Sequence, residues 1–232
     1  MSETQELLIR WKASLPTNVS VGGALAKNTI AYKWKAPYRS LVLRETLFWR
    51  TYDLLNRAQK LHDEKQTLGS RILLRSALET VAVLIHLNQL TSRVLDGSLD
   101  FHLFDDKTRK LLLGSRNGST KHTSINVLSI LEYCEKKYPG VLSVYATLSE
   151  SAHPNFEGVC FGYSDVDEER DETVFGAKWF EMLGDKHNSL FMLTAVVFET
   201  KYNDVLAPQI EQLERWLTDN DKELQPLGGE DA

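Results

Sequence analysis

Apolar residues recur at helical spacing along most of this chain, and clusters of glycine and proline separate the resulting patterns. The patterns predict helices at residues 3–12, 39–65, 68–94, 100–113, 123–137, 140–152, 176–204 and 207–224. Alternation at the two ends of GVCFGYSDVDEERDETVFG allows one short hairpin near residues 158–175. We therefore expect a single all-α domain. A helical bundle at residues 39–225 follows an N-terminal helix and irregular arm at residues 1–38.

The predicted helix at residues 68–94 is apolar over more than half of its circumference, which is typical of a central helix. At about 100° per residue, its polar residues fall on one stripe. The stripe consists of Arg71, Arg75, Glu79, His86, Gln89 and Arg93. Either it lines a cleft or a subunit contact, or it is a solvated face on which Arg75 and Glu79 form an i,i+4 ion pair.

Composition narrows the class of protein. No apolar run approaches the roughly 20 residues of a membrane-spanning helix, and MSETQELLIRWK lacks the pattern of a signal peptide, so we expect a cytoplasmic protein with no membrane partner. The net charge of −5 argues against a generic nucleic-acid coat. Cys134 and Cys160 stand far apart and outside any paired motif, which indicates neither a disulfide framework nor a zinc site. We expect one of them in a helix core.

Two short stretches carry concentrated charge. AYKWKAPYR, residues 31–39, interleaves aromatic and basic residues, a combination that can stack on bases and neutralise phosphates. We favour the alternative that the arm packs its aromatic rings on the bundle while its lysines stay in water. DVDEERDE, residues 165–172, fails as an EF-hand loop because Arg170 stands where glycine must turn the chain. It predicts an exposed acidic loop.

LSESAHPN, residues 148–155, ends a predicted helix with charged and polar groups. Glu150 and His153 share a face, Pro154 ends the helix, and Asn155 can hold the turn that follows. By spacing alone, a helix terminus with a favourable histidine is the better interpretation. The Glu-x-x-His pair also suits a di-iron bundle, but such a site needs two of these motifs and further glutamates. We find one motif and expect no metal and no cofactor.

Three stretches together resemble a known group of proteins: RSALET at 75–80, INVLSILE at 125–132 and LSESAHPN at 148–155. They resemble uncharacterised bacterial helical proteins whose fold is HEPN-like, over about residues 70–160. The resemblance implies a HEPN-like helical bundle that forms a homodimer. It also implies a possible activity, because many HEPN domains are metal-independent ribonucleases of defence and toxin systems. RNA and a protein partner are then the expected ligands.

The usual HEPN signature is an arginine followed by a polar residue, with a histidine four to six residues further on, near the start of a helix. RNGSTKH at residues 116–122 matches this signature through Arg116, Asn117 and His122, just before a predicted helix. A solvated connection between helices is the alternative interpretation of the same loop.

Cleavage of RNA without a metal needs a base for the 2′-hydroxyl proton and a cation for the charge that builds on the phosphate. Histidine suits the first role and arginine the second. We prefer Arg75 with His153, assisted by Glu79 and Asn155, because these residues fall in the stretches that carry the resemblance. The alternative set is the RNGSTKH loop.

Two hypotheses about function therefore stay open. The first is a metal-independent endoribonuclease or toxin-like effector of a bacterial defence system. The second is a non-catalytic HEPN-like module that binds a protein partner or a nucleotide. The absence of a second convincing catalytic motif favours the binding module, whereas growth arrest on expression would favour the nuclease.

Overall fold

The computed structural model describes residues 2–224, and most of them are helical. In chain order the helices are α1 (Glu3–Ser14), α2 (Val21–Lys27), α3 (Thr29–Tyr32), α4 (Lys35–Asp63), α5 (Thr67–Leu95), α6 (Phe101–Leu113), α7 (Val127–Glu135), α8 (Val141–Ala152), α9 (Trp179–Leu183), α10 (His187–Glu199) and α11 (Ala207–Asn220). Strands β1 (Ser164–Asp167) and β2 (Glu172–Phe175) form an antiparallel hairpin. This confirms the predicted all-α class and the short hairpin. The HEPN-like topology stays a prediction.

Backbone contacts group the described residues into two compact units. The first takes in the chain up to Leu15 together with Trp49–Val81 and Cys134–Val197. The second takes in Pro16–Phe48, Ala82–Tyr133 and the described residues from Phe198 onward. Helices α4 and α5 contribute residues to both units. The predicted division into an arm at 1–38 and a bundle at 39–225 stays a prediction, and its last residue lies outside the described part of the chain.

Each unit has its own set of buried apolar side chains, as amphipathic helices require. In the first unit the set includes Trp11, Leu55, Leu74, Leu148 and Phe191. In the second unit it includes Leu87, Leu90, Phe104, Leu131 and Leu213. Cys134 is buried in α7, which confirms the prediction of one cysteine in a helix core.

The prediction of an irregular segment before residue 38 is wrong, because α2, α3 and the start of α4 occupy it. Side-chain caps explain the two short helices. Ser20 Oγ accepts a hydrogen bond from Gly23 N at 3.0 Å, and Asn28 Oδ1 accepts one from Ala31 N, also at 3.0 Å. Each cap satisfies an amide that would otherwise have no partner at the start of a helix.

The aromatic residues of AYKWKAPYR pack within the second unit rather than facing solvent. Tyr32 is buried and donates a hydrogen bond to Glu214 Oε1 at 2.6 Å. Trp34 donates from Nε1 to Asp221 at 3.0 Å, and its ring meets Phe101 edge-on at a centroid distance of 5.3 Å. This arrangement supports the packing interpretation of the stretch over base stacking.

Two helix predictions need correction. The pattern at residues 176–204 is not one helix: a tight turn at Gly184–Lys186 separates α9 from α10, and a π-helical segment, Thr200–Leu206, follows α10. A Cβ atom at Gly184 would lie 3.0 Å from the Phe180 ring, so glycine permits this close approach. The predicted helix at 123–137 begins later, at Val127, because Asn126 Oδ1 accepts a hydrogen bond from Leu128 N at 3.0 Å.

A stacked histidine pair lies in the core of the first unit. The rings of His62 and His187 are 4.1 Å apart and inclined by 7°. His187 Nδ1 shares a hydrogen bond of 2.8 Å with Ser70 Oγ, and only 2% of His187 is exposed. Burial lowers the pKa of His187 from its usual 6.5 to about 4; His62 lowers it as well, and the Asp63 carboxylate opposes the shift. The folded first unit therefore holds this imidazole neutral.

We expect acid to destabilise the protein through His187. A folded pKa of about 4 against about 6.5 in the unfolded chain means that the unfolded state binds the proton first as the pH falls. The stabilisation is complete above about pH 6.5 and is lost toward pH 4, with a loss of about 2 kcal/mol already at about pH 5. Urea unfolding at about pH 7.5 and pH 5 measures this loss of unfolding free energy.

The matched variants are His187→Asn, which removes the titrating ring, and Asn188→Gln, which changes its exposed neighbour on α10. His187→Asn should show the weaker dependence of unfolding free energy on pH, and Asn188→Gln should keep that of the parent. Equal pH dependence in the two variants would show that His187 does not carry the effect.

Candidate functional site

The first part of the polar stripe on α5 meets α8 within the first unit. Arg75 Nη2 donates a hydrogen bond to the Tyr145 hydroxyl at 2.7 Å and lies 3.5 Å from Glu79 Oε1. The Tyr145 hydroxyl in turn donates to the same Glu79 oxygen at 3.1 Å. Arg75 and Glu79 thus form the predicted i,i+4 ion pair, and Tyr145 bridges it. This part of the stripe therefore packs against another helix and is not a solvated face.

Arg71 lies one turn earlier on α5 and makes a second set of contacts with α8. Its Nε donates to Ser151 Oγ at 2.8 Å, and its Nη2 donates to the carbonyl oxygen of Thr147 at 2.9 Å. Ser151 Oγ donates onward to Glu157 Oε1 at 2.6 Å. Only 2% of Arg71 is exposed. Burial lowers the pKa of its guanidinium, and the charge of Glu157 opposes this shift.

We call Arg71, Arg75, Glu79, Tyr145 and Ser151 the α5–α8 cluster. Three buried polar atoms in the cluster or next to it have no hydrogen-bond partner within residues 2–224. They are Arg71 Nη1, Arg75 Nε and Ser149 Oγ. Glu79 and Glu157 balance the charge of the two arginines, so the cluster acts as a nearly neutral polar contact. A phosphate could reach Arg75 only in competition with Tyr145 and Glu79.

The end of LSESAHPN builds a turn. Asn155 Nδ2 donates a hydrogen bond to the Glu150 carboxylate, and Asn155 Oδ1 accepts one from Gly158 N at 3.0 Å. This second bond caps a π-helical segment, Phe156–Phe161, that follows α8 after the turn at residues 153–155. His153 is the exposed C-cap of α8, and its amide donates to the carbonyl oxygen of Ser149 at 3.2 Å. The helix-terminus interpretation accounts for Glu150 and Asn155.

Glu150 lies on the side of α8 that is turned away from the α5–α8 cluster. At about 100° per residue, Glu150 lies about 140° around the helix from Tyr145, on the opposite side. Within residues 2–224, no hydrogen bond or ion pair joins the side chain of His153 or Glu150 to Arg75 or Glu79. The structure therefore joins Arg75 with Glu79 and Glu150 with Asn155, but does not connect the two pairs. A common pocket for Arg75 and His153 stays a prediction.

The alternative set lies in a closed loop of the second unit. Ser115 N donates to the carbonyl oxygen of His122 at 2.8 Å, and Ser124 N donates back to the Ser115 carbonyl at 3.2 Å. The loop brings residue 115, the neighbour of Arg116, against His122. Arg116 and Asn117 are exposed and His122 is half-buried. This loop replaces the predicted start of the helix at residue 123.

The later part of the stripe belongs to the second unit, where His86 and Arg93 line a cavity. Among residues 2–224, no three histidine, cysteine, aspartate or glutamate side chains gather in a group suited to a metal ion. None of the helices in that range is both long and apolar enough to span a membrane.

Comparisons with known proteins add no family: no family model, curated protein or solved structure matches the chain. The HEPN-like resemblance therefore depends on the three sequence stretches alone.

Sequence reasoning missed the α8 side of the cluster. Tyr145 and Ser151 are polar, and with Leu148 and Ser149 they are the buried residues of α8. Buried polar side chains need partners, so polar residues on both sides of Leu148 in this short helix were the available signal. Glu157 was missed because it reaches Ser151 from the π-helical segment, which no periodicity predicts.

We expect Arg71 to be the most destabilising residue of the α5–α8 cluster to remove. Arg71→Met deletes two hydrogen bonds and leaves Glu157 without its compensating charge, at a cost of about 3 kcal/mol of unfolding free energy. Arg116→Met makes the same substitution at an exposed loop position and should change stability by less than about 0.5 kcal/mol. Urea unfolding compares the two. Similar losses in both variants would contradict the contacts described for Arg71.

Proposed function

We propose that this protein is a non-catalytic HEPN-like module that binds a protein partner. The observation that carries the proposal is an apolar surface on the first unit, formed by the π-helical segment and the hairpin. Its most exposed members are Phe175, Phe156 and Val166, which are 80%, 72% and 70% exposed. We call it the hairpin surface. Its members are Phe156, Val159, Phe161, Val166 and Phe175.

Neighbouring contacts hold several of these residues in place. The rings of Phe156 and Phe161 stack with centroids 5.9 Å apart and planes inclined by 21°. In the hairpin, Ser164 pairs with Phe175 and Val166 with Thr173. Residues that pair directly, and residues two positions apart, share a face of a strand pair, so Val166 and Phe175 lie on the same face.

Such a surface is costly to leave in water. Soluble monomers rarely expose large contiguous apolar patches, and those that exist commonly mark interaction sites. A two-stranded hairpin is at best marginally stable on its own. Within residues 2–224, β1 and β2 pair only with each other, so each presents one unpaired edge that a partner can cover. A protein that packs on the hairpin surface would cover the exposed apolar side chains and could also pair with a free strand edge.

Charge narrows the kind of partner. Residues 165–172, which include the hairpin turn and the strand ends beside it, carry six acidic residues and one arginine. Two copies that met turn to turn would bring like charges together, which costs free energy. The hairpin surface therefore favours a partner that offers lysine or arginine around an apolar centre. The homodimer that the resemblance implies would need a different contact.

Catalysis at the preferred residues has less support. A phosphate-binding arginine must present free N–H donors to its substrate. Arg75 instead donates to Tyr145 and pairs with Glu79, while His153 makes no bond to either residue of that ion pair. These contacts favour a structural role for Arg75.

We expect Phe175→Ser to weaken partner binding at least tenfold, about the effect of removing one central apolar residue from an interface. Ile9→Ser changes an exposed apolar residue on α1 and should leave binding unchanged. The measurement compares the proteins that each tagged variant and the parent retain from an extract of the source cells. Light scattering of the parent and of both variants tests whether the partner is a second copy.

A partner retained equally by Phe175→Ser and the parent would exclude the hairpin surface as its binding site. A parent dimer that Phe175→Ser converts to a monomer would identify the partner as this chain itself, against the charge argument.

The metal-independent endoribonuclease remains a second proposal, and the closure of the RNGSTKH loop favours its Arg116–His122 site over the Arg75–His153 site. The hydrogen bond from Ser115 to the His122 carbonyl keeps the two ends of the motif adjacent. A histidine base and an arginine that stabilises phosphate need this proximity.

If the protein cleaves RNA, His122→Ala should lower the rate about 10²- to 10⁴-fold, the contribution of one positioned proton-transfer group. His153→Ala is the matched control and should retain the parent rate. Cleavage of total RNA in the presence of a metal chelator gives the rates. If His153→Ala loses activity and His122→Ala retains it, the chemistry belongs to the Arg75–His153 set. If the parent cleaves no RNA, the binding module is the remaining proposal.

A further inference from the structure

A cavity of about 400 Å³ lies in the second unit, lined by α6, α7 and the later part of α5. Apolar side chains that include Leu90, Leu103 and Ile130 form part of its lining. This volume falls within the roughly 300–1,000 Å³ that proteins use for small-molecule ligands. The cavity shares no residue with the α5–α8 cluster or the hairpin surface.

The charged residues of the lining are unbalanced. Arg93, Lys107 and Lys110 contribute three cations, and Asp106 contributes one carboxylate. That carboxylate already pairs with Lys110, at 2.8 Å. Two positive charges therefore remain without a compensating carboxylate in the lining. An anionic group would supply the missing charge.

The two remaining cations differ in what they bind. Arg93 donates hydrogen bonds to the Tyr133 hydroxyl at 3.4 Å and to the Ser98 carbonyl at 3.2 Å. Its charge also helps to lower the pKa of Asp96, a carboxylate outside the lining. Lys107 forms no ion pair within residues 2–224. Its ammonium group is therefore the donor most available to an anion.

His86 adds a second observation that indicates a ligand. Only 8% of this residue is exposed, and its Nδ1 is buried without a hydrogen-bond partner within the described residues. Its ring meets Tyr133 edge-on at a centroid distance of 5.3 Å. Burial lowers the pKa of His86 to about 4, and the charges of Lys107 and Arg93 lower it too. The ring is therefore neutral near pH 7 and retains a polar atom that the chain does not satisfy.

We propose that this cavity binds a small amphipathic anion, one carboxylate, sulfonate or phosphate group attached to an apolar body. Lys107 and Arg93 attract the anionic group. Leu90, Leu103 and Ile130 contact the apolar body. The proposal is independent of the proposed protein partner, because it uses other residues.

The test uses two fluorescent probes that share an apolar body. 8-Anilinonaphthalene-1-sulfonate carries the anionic group, and N-phenyl-1-naphthylamine is its uncharged counterpart. The folded parent should bind the sulfonate more tightly than the amine, and added salt should weaken the sulfonate alone, since salt screens charge. Equal affinity for the two probes, or no binding of the sulfonate, would contradict an anion site.

Lys107→Met should weaken the sulfonate roughly tenfold, the loss expected for one charge-assisted contact, and should leave the amine unchanged. Lys222→Met removes the same charge from a position outside the cavity and should leave both affinities unchanged. If the two variants weaken sulfonate binding equally, the preference for the sulfonate comes from the net charge of the protein and not from the cavity. That result would overturn the proposal.

Ser129→Trp locates the probes. Ser129 is an exposed residue of α7 that lines the cavity, so an indole there fills the space without entering the core. A variant that melts near the parent should lose both probes. If it instead binds the sulfonate as the parent does, the probe lies elsewhere, the hairpin surface included, and the proposal is wrong. If Ser129→Trp does not fold, the comparison of Lys107→Met with Lys222→Met decides whether the cavity binds the anion.

Discussion

Burial of the Arg71 guanidinium is a constraint on which the arrangement of the first unit depends. A charged group that leaves water must be met by oxygens in fixed positions, because an unpaired buried charge costs several kcal/mol. Ser151 and the Thr147 carbonyl supply those oxygens, and Glu157, which accepts a hydrogen bond from Ser151, adds the opposite charge. Two of these residues lie on α8 and one lies just beyond it, so α8 and the segment that follows must keep one register against α5. The polar character of α5 thereby determines the position of elements about 80 residues further along the chain.

The path of the chain after α8 follows from the same contact. Glu157 reaches Ser151 only because the chain winds into a π-helical segment, which Asn155 caps. A Cβ atom at residue 158 would lie 1.9 Å from the His153 carbonyl oxygen, so this turn requires glycine. The polar end of LSESAHPN and the glycine beyond it thus return a carboxylate toward a buried arginine. The exposed aromatic residues of the same segment are a consequence of this path.

The sequence predicted the features that depend on local periodicity. The stripe on α5, the end of α8 at residue 152 and the short hairpin all follow from spacing and turn chemistry. Features that depend on distant partners could not be predicted in this way. Tyr145 belongs to the α5–α8 cluster only because Arg75 faces it. The cavity around His86 forms where α5, α6 and α7 meet, and no sequence pattern predicts that meeting. The short helices before α4 were missed because single side-chain caps, rather than apolar spacing, stabilise them.

The discontinuous make-up of the two units has a consequence for biosynthesis. Each unit is assembled from three separate stretches of chain, and the last stretch of each begins after residue 133. While the ribosome is still adding these stretches, α5 has emerged with its apolar surface and with Arg71 unpaired. Neither unit can close as an independent nascent domain, and contacts of such large sequence separation form slowly. The growing polypeptide therefore passes through a long period in which the completed core does not yet cover that helix, and exposed apolar surface of this kind favours aggregation.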